Sequence, residues 1–225
     1  MAAMSQSLTQ QRLRIRFGKS GALRYVGHLD LVTTWERVLR RAEFPLEYTR
    51  GFNPRPRLQF AAALPVGLTS ECELLDVWLT ARLSLDPPEA LVERLNATSP
   101  RGLHTYDVSE VPIKAPALPP QVLSAEYVLT PTDDLTPQEL VARAETLLAA
   151  EHIERERRGR KYDLRPLILD LHPDETGHLI AWLRTGEHEH ARADELVEAL
   201  GLSLAQVRVH RRRLVLADEA GQSSP

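Results

Sequence analysis

The segment RLRIRFGKSGALRYVGHLDLVTTWERVLRRAEFP, residues 12–45, changes from one periodicity to another. At its start, Leu13, Ile15 and Phe17 alternate with arginines, which predicts a strand with one apolar face and one wet, basic face. Further on, apolar residues recur at helical spacing, and Pro45 stands where a helix would end. The segment therefore predicts a β-strand followed by an amphipathic helix.

The element order of this beginning continues and then repeats. Residues 12–111 give the order β-α-β-β-α-β, and residues 123–217 give it again. The stretch between them, residues 112–122, contains four prolines and is expected to be a linker. Residues 1–11 and 218–225 are expected to be flexible tails. The order predicts an α+β fold of two tandem ferredoxin-like halves, each βαββαβ.

The composition is typical of a globular protein. It is 43% hydrophobic and 26% charged, and its apolar runs are far shorter than a membrane span of about 20 residues. Cys72 is the single cysteine, so this sequence excludes an internal disulfide, a cysteine-held iron–sulfur cluster and a cysteine-rich zinc site. The polar N-terminal residues lack the features of a secretory signal. We expect a bacterial cytoplasmic protein with no cofactor and no membrane partner.

Charge is distributed unevenly along the chain. Residues 12–67 contain eleven basic and four acidic residues, a net charge of +7, so the remainder carries −10 of the total of −3. A basic lobe on an otherwise acidic protein would attract an anionic partner. The alternative is that these arginines solvate ordinary helix faces.

The expected junction between the first strand and the first helix, RYVGHLD at residues 24–30, groups side chains suited to acid–base chemistry. His28 and Tyr25 could act as general acid and base on a phosphodiester, and Lys19 could stabilise developing charge. A helix N-terminus at this point would favour an anion. The alternative is that His28 packs between helix and loop, while Asp30 caps or charges the helix start.

A second group, YTRGFNPRPR at residues 48–57, combines arginines and aromatics with a rigid loop. Guanidinium groups suit phosphates, and an exposed Phe52 or Tyr48 could stack on an unpaired base. In the alternative, Phe52 and the prolines fold inward and fix the loop. The helix arginines form either a phosphate-contacting stripe or a solvated face that pairs with Glu36 or Glu43. The candidate nucleic-acid-binding residues are Arg24, Arg37, Arg40, Arg41, Arg50, Phe52, Asn53, Arg55 and Arg57.

Histidines and further basic runs mark the second half. The histidines at positions 172, 178, 188 and 190 lie in expected loops and turns without cysteines, so no metal site is predicted. The role of the histidine-containing loop at residues 186–190 stays open. Basic runs at residues 155–165 and 208–213 either extend a nucleic-acid surface or form ordinary polar faces.

Four motifs together carry a family resemblance: RYVGHLD at 24–30, GFNPRP at 51–56, FAAALPVG at 60–67 and RKYDLRP at 160–166. With them the chain resembles the radical SAM-linked family of unknown function, which has a DUF2344-type domain. Members often lie beside, or are fused to, a radical SAM protein, and occur near ribonuclease E/G-type genes. The resemblance implies an accessory role in RNA modification or handling. Because this sequence lacks a CxxxCxxC motif, any radical SAM cluster would belong to a partner chain.

Three functions are consistent with these features. The preferred one is an accessory RNA-binding protein that acts with a separate radical SAM enzyme. The second is a protein-interaction subunit of such an enzyme without RNA contact, docking through its paired sheets or the apolar residues 61–66. The third is a metal-independent endoribonuclease that uses His28, because tandem ferredoxin-like halves are similar to the CRISPR repeat-processing endoribonucleases of the RAMP superfamily. The glycine-rich C-terminal loop typical of those enzymes is missing here.

Overall fold

The computed structural model describes residues 9–186 and 190–217, which form a mixed α+β fold with a large mixed sheet and four α-helices. These residues divide into two compact units. The first unit comprises residues 9–63 and 73–118, and the second comprises residues 64–72 together with the described residues from 119 onward. No α-helix in this described part is both long and apolar enough to cross a membrane.

The first unit is built around the predicted strand and helix. Leu13, Ile15 and Phe17 are buried, and the ring of Phe17 meets that of Trp35 edge-on at a centroid distance of 4.9 Å. A 3-10 turn at Gly21–Tyr25 joins this strand to the first helix. The elements are β1 (Gln11–Lys19), α1 (His28–Arg41), β2 (Leu58–Phe60), β3 (Thr69–Leu79, in this unit from Glu73), α2 (Glu89–Thr98) and β4 (Leu103–Val111).

The second unit contains the remaining elements. Its first helix has a complete capping box: the Thr136 side chain accepts from the backbone N–H of Glu139, and the Glu139 side chain accepts from that of Thr136. Pro137 occupies the first turn, where no N–H is needed. The elements are β5 (Val122–Pro131), α3 (Pro137–Leu148), β6 (Glu154–Arg157), β7 (Arg160–Asp163), β8 (Ile168–Pro173), β9 (Leu179–Arg184), α4 (Ala193–Ala199) and β10 (Val207–Leu216).

The strand pairing within the two units is more complex than in the predicted four-stranded halves. In the first unit the order is β4-β1-β3, with β2 antiparallel to β3. In the second unit the first residues of β3 pair in parallel with β10, and the order continues through β5 and β9 to β8. A separate hairpin, β6–β7, lies outside this order. Because the strand order of the second unit includes the start of β3 and this unit has an added hairpin, the strand order does not confirm two tandem ferredoxin-like halves.

The predicted wet face of β1 is wrong for its first two arginines. Arg12 is 1% exposed and donates hydrogen bonds to Asp76 and to the carbonyls of Ala115 (2.7 Å) and Pro116 (3.0 Å). Arg14 binds the other oxygen of Asp76 at 2.8 Å. The proline-rich segment therefore covers this part of β1, and both guanidinium groups bind the same carboxylate inside the unit.

Candidate nucleic-acid interface

The arginine loop, residues 49–55, is a narrow loop held closed at its base. The N–H of Thr49 donates to the Arg55 carbonyl at 2.8 Å, and the N–H of Arg55 donates to Thr49 Oγ1 at 3.1 Å. Below this pair, Tyr48 and Pro56 form an antiparallel bridge. Gly51 has a φ of +148°, which an L side chain rarely adopts. The base is therefore fixed, and residues 50–54 project as a tip.

The tip of the arginine loop faces solvent. Phe52 is fully exposed (103%), so it does not fold inward. Arg50, Asn53 and Arg55 are exposed as well. Within the described chain, neither of these two arginines forms an ion pair, so both guanidinium groups are available to an anion. The loop thus presents one aromatic ring between two exposed cations.

Most of the other predicted arginines have partners inside the first unit. Arg40 lies 3.8 Å from Glu36 and donates to Tyr48 Oη at 3.3 Å. Arg57 stacks on the Trp78 ring at 4.4 Å and lies 3.3 Å from Glu47. Arg41 binds the carbonyl of Thr98 at 2.7 Å. Arg37 is exposed and, among the described residues, makes no ion pair.

His28 is grouped with two buried charges. It is the first residue of α1, and its ring meets that of Phe60 edge-on at 5.3 Å. Lys19 and Glu73 are both almost fully buried, and Lys19 Nζ donates to the Val26 carbonyl at 2.8 Å. Burial lowers the pKa of His28, while the charge of Glu73 raises it and that of Lys19 lowers it further. The net direction favours a neutral imidazole.

Tyr25 belongs to a different contact. Its hydroxyl accepts from Arg24 Nη2 at 2.6 Å, and the Arg24 guanidinium lies 4.7 Å from its ring centroid. In the part of the chain that the structure describes, no hydrogen bond or ring contact joins Tyr25 to His28. Of the three predicted catalytic candidates, the structure brings together His28 and Lys19 and leaves Tyr25 exposed beside Arg24. Sequence reasoning missed Glu73 as a charge that acts on His28. The only signal for Glu73 was the presence of a carboxylate inside a largely apolar strand.

Several side chains in the basic runs of the second unit bind partners within that unit. Arg157 and Tyr162 both bind the carboxylate of Glu195, and Arg212 pairs with Glu126. Of the histidine-containing loop, residues 187–189 lie outside the described residues. His190 is described, and burial, followed by the charges of neighbouring arginines, lowers its pKa to about 4. Among the described residues, no group of three or more His, Cys, Asp or Glu is arranged to hold a metal ion.

Comparison with known proteins identifies the family of this chain. No curated protein matches the chain. A chain from the crystal structure of a Cbf5-Nop10-Gar1 complex is similar, with a TM-score of 0.44 and 10% sequence identity, covering 90% of this chain. The match covers 48% of that longer chain. The family model described as "uncharacterized protein conserved in bacteria" (DUF2344) matches residues 12–193. Since this match covers most of the sequence, the chain belongs to the DUF2344 family.

Proposed function

We propose that this protein binds single-stranded RNA through the arginine loop, as an accessory RNA-binding protein. The observation that carries the proposal is the full exposure of Phe52 between Arg50 and Arg55. Leaving a phenylalanine in water forgoes ~1.5–3 kcal/mol that its burial would contribute to folding. Stacking on an unpaired base is worth about 1–3 kcal/mol, which is of the same size.

The two flanking arginines supply the electrostatic part of binding. Each guanidinium can hold a phosphate by two parallel hydrogen bonds, and neither is neutralised by a carboxylate within the described residues. The closed base of the loop limits the ordering that binding would require, because the two ends of the loop are already hydrogen-bonded to each other. A base on Phe52 with phosphates on Arg50 and Arg55 is the arrangement this loop favours.

The choice of RNA over DNA comes from the family resemblance. The same resemblance suggests a separate radical SAM enzyme as the partner that would act on the bound RNA. The first unit has the order β-α-β-β-α-β, and the second unit has the same order once the separate β6–β7 hairpin is left out. This order supports the finer proposal of two ferredoxin-like halves, a fold that many RNA-binding modules use. Co-purification of a cluster-bearing enzyme after nuclease treatment tests the partner. Failure to recover one from a bacterial host that encodes both proteins would remove this part of the proposal.

The direct test is binding of a fluorescently labelled single-stranded RNA, measured by anisotropy at low salt, with the DNA of the same sequence in parallel. Phe52→Ala is expected to weaken binding about 10-fold, because a stacking contact is lost. Leu169→Ala is the matched control, since Leu169 is an exposed apolar residue of the second unit. No binding by the wild-type protein, or equal affinity for Phe52→Ala, would overturn the proposal.

A second candidate is metal-independent RNA cleavage at His28. The observation that favours it is the pair of buried charges, Lys19 and Glu73, that act on this imidazole. A largely neutral imidazole near pH 7 can accept a proton from a ribose hydroxyl. The test is cleavage of RNA in the presence of EDTA by the wild-type protein and by His28→Ala. Cleavage that persists in His28→Ala, or no cleavage at all, would remove this candidate.

A further inference from the structure

An exposed group of three planar side chains lies on the β1–β4 pair, outside the arginine loop. The Arg16 guanidinium lies 5.0 Å from the centroid of the Tyr106 ring. The His104 ring meets the same tyrosine edge-on at a centroid distance of 4.8 Å. All three side chains are exposed. We call this group the Tyr106 stack.

A β-bulge places Tyr106 and Asp107 next to each other on the exposed face of β4. In the antiparallel pairing of β1 with β4, Arg16 is opposite Asp107 and Phe17 is opposite Thr105, so Tyr106 has no partner residue. Thr105 is buried, whereas Tyr106 and Asp107 are both exposed, which breaks the inside–outside alternation of a regular strand. Bulges of this kind re-aim a side chain and are over-represented beside functional sites.

The Arg16 guanidinium has no ionic role inside the protein. Within residues 9–186 and 190–217 it makes no ion pair, although Asp107 is opposite it in the strand register. Its neighbours on the strand differ in this respect, since Arg12 and Arg14 are both bound to Asp76. Arg16 is therefore a planar cation stacked on an aromatic ring and exposed to solvent.

We infer that the Tyr106 stack is a second nucleobase-stacking site for single-stranded RNA. The inference rests on the proposed function and deepens it: the substrate class is RNA with at least two unpaired bases. A guanidinium plane supported by a tyrosine ring can stack on the face of a base, as aromatic rings do in single-strand-binding proteins. Asp107 beside the stack disfavours a phosphate there, so the site fits an uncharged base better than the backbone.

The experiment compares binding of a labelled oligouridine RNA with binding of the same sugar–phosphate chain carrying abasic positions. Tyr106→Leu is expected to weaken oligouridine binding about fivefold and to leave abasic binding unchanged. Tyr106→Phe, which keeps the ring, is expected to retain most of the affinity. Arg16→Lys keeps the charge but loses the plane, and is expected to behave like Tyr106→Leu. Ser109→Ala, an exposed change on the same strand, is the control, and thermal melts monitor folding.

The outcomes separate this inference from the proposed function. If Phe52→Ala weakens binding while Tyr106→Leu and Arg16→Lys do not, the Tyr106 stack is not a binding site and the arginine loop stands. If the Tyr106 and Arg16 variants weaken oligouridine binding and Phe52→Ala does not, the stack is supported and the arginine loop falls. Equal weakening on the abasic chain would overturn base stacking. No binding by the wild-type protein would overturn both.

Discussion

Arg12 donates two hydrogen bonds to one oxygen of Asp76, from Nε at 3.0 Å and from Nη2 at 2.5 Å, and both side chains are almost completely buried. Arg14 shares the same carboxylate. Charges removed from water in this way are tolerated only when they are paired and hydrogen-bonded. The group therefore links β1 to β3 through side chains and keeps both arginines largely out of solvent.

Removal of the Asp76 charge is expected to destabilise the first unit strongly. Asp76→Asn leaves two guanidinium groups without their counter-charge, which costs ~3–5 kcal/mol in buried pairs. Glu154→Gln is the matched control, because the Glu154–Lys161 pair is exposed and is worth ~0–1 kcal/mol. Urea denaturation measures both. Similar losses for the two variants would show that the buried group has no special role in stability.

Gly102 and Gly21 both lie near the end of β1 that leads into the 3-10 turn. Together they allow a matched test of backbone crowding. Both have positive φ, of +92° and +57°. A Cβ on Gly102 would lie 2.4 Å from the Ser20 carbonyl oxygen, whereas a Cβ on Gly21 would meet nothing within 4 Å. Gly102→Ala is therefore expected to lose ~1–3 kcal/mol more of unfolding free energy than Gly21→Ala. Equal losses in urea denaturation would contradict this.

Local patterns made much of the fold predictable. The alternation at Leu13, Ile15 and Phe17 predicted a strand with a buried face, because side-chain period depends only on neighbouring residues. The spacing of apolar residues along the next segment predicted helix α1 in the same way. Asp76 could not be assigned to Arg12 in this way, since their pairing joins residues 64 positions apart.

The candidate site was predictable in chemistry but not in geometry. The glycine and prolines of residues 51–56 predicted a loop, yet only the structure shows that Phe52 points outward. Proximity in sequence suggested Tyr25 as a partner of His28, but the side chain of Arg24 binds Tyr25 instead. The exposure of both Tyr106 and Asp107 depends on a bulge, and a bulge is defined by the facing strand.

The salt dependence of RNA affinity should report how many phosphates the arginine loop contacts. Each phosphate contact on a single strand contributes about 0.7 to the slope of log affinity against log salt. The double variant Arg50→Ala/Arg55→Ala is therefore expected to reduce that slope by about 1.4. Arg101→Ala is the control, because Arg101 is exposed and lies outside the arginine loop and the basic runs. An unchanged slope for the double variant would show that these arginines contact no phosphate.

His190 should make the stability of the second unit depend on pH. Burial and the charges of Arg157, Arg211 and Arg192 lower its pKa from 6.5 to about 4, so the folded protein resists protonation. As pH falls below 6.5, the unfolded chain takes up a proton that the folded chain does not, and stability decreases until the pH reaches about 4.

The difference between these two pKa values corresponds to about 3 kcal/mol. His190→Gln is expected to remove that part of the loss between pH 7 and pH 4, measured by urea denaturation at each pH. Leu169→Ala, an exposed change in the same unit that removes no titratable group, should keep the wild-type dependence. If His190→Gln loses as much stability on acidification as the wild-type protein, His190 is protonated in the folded state and does not control this response.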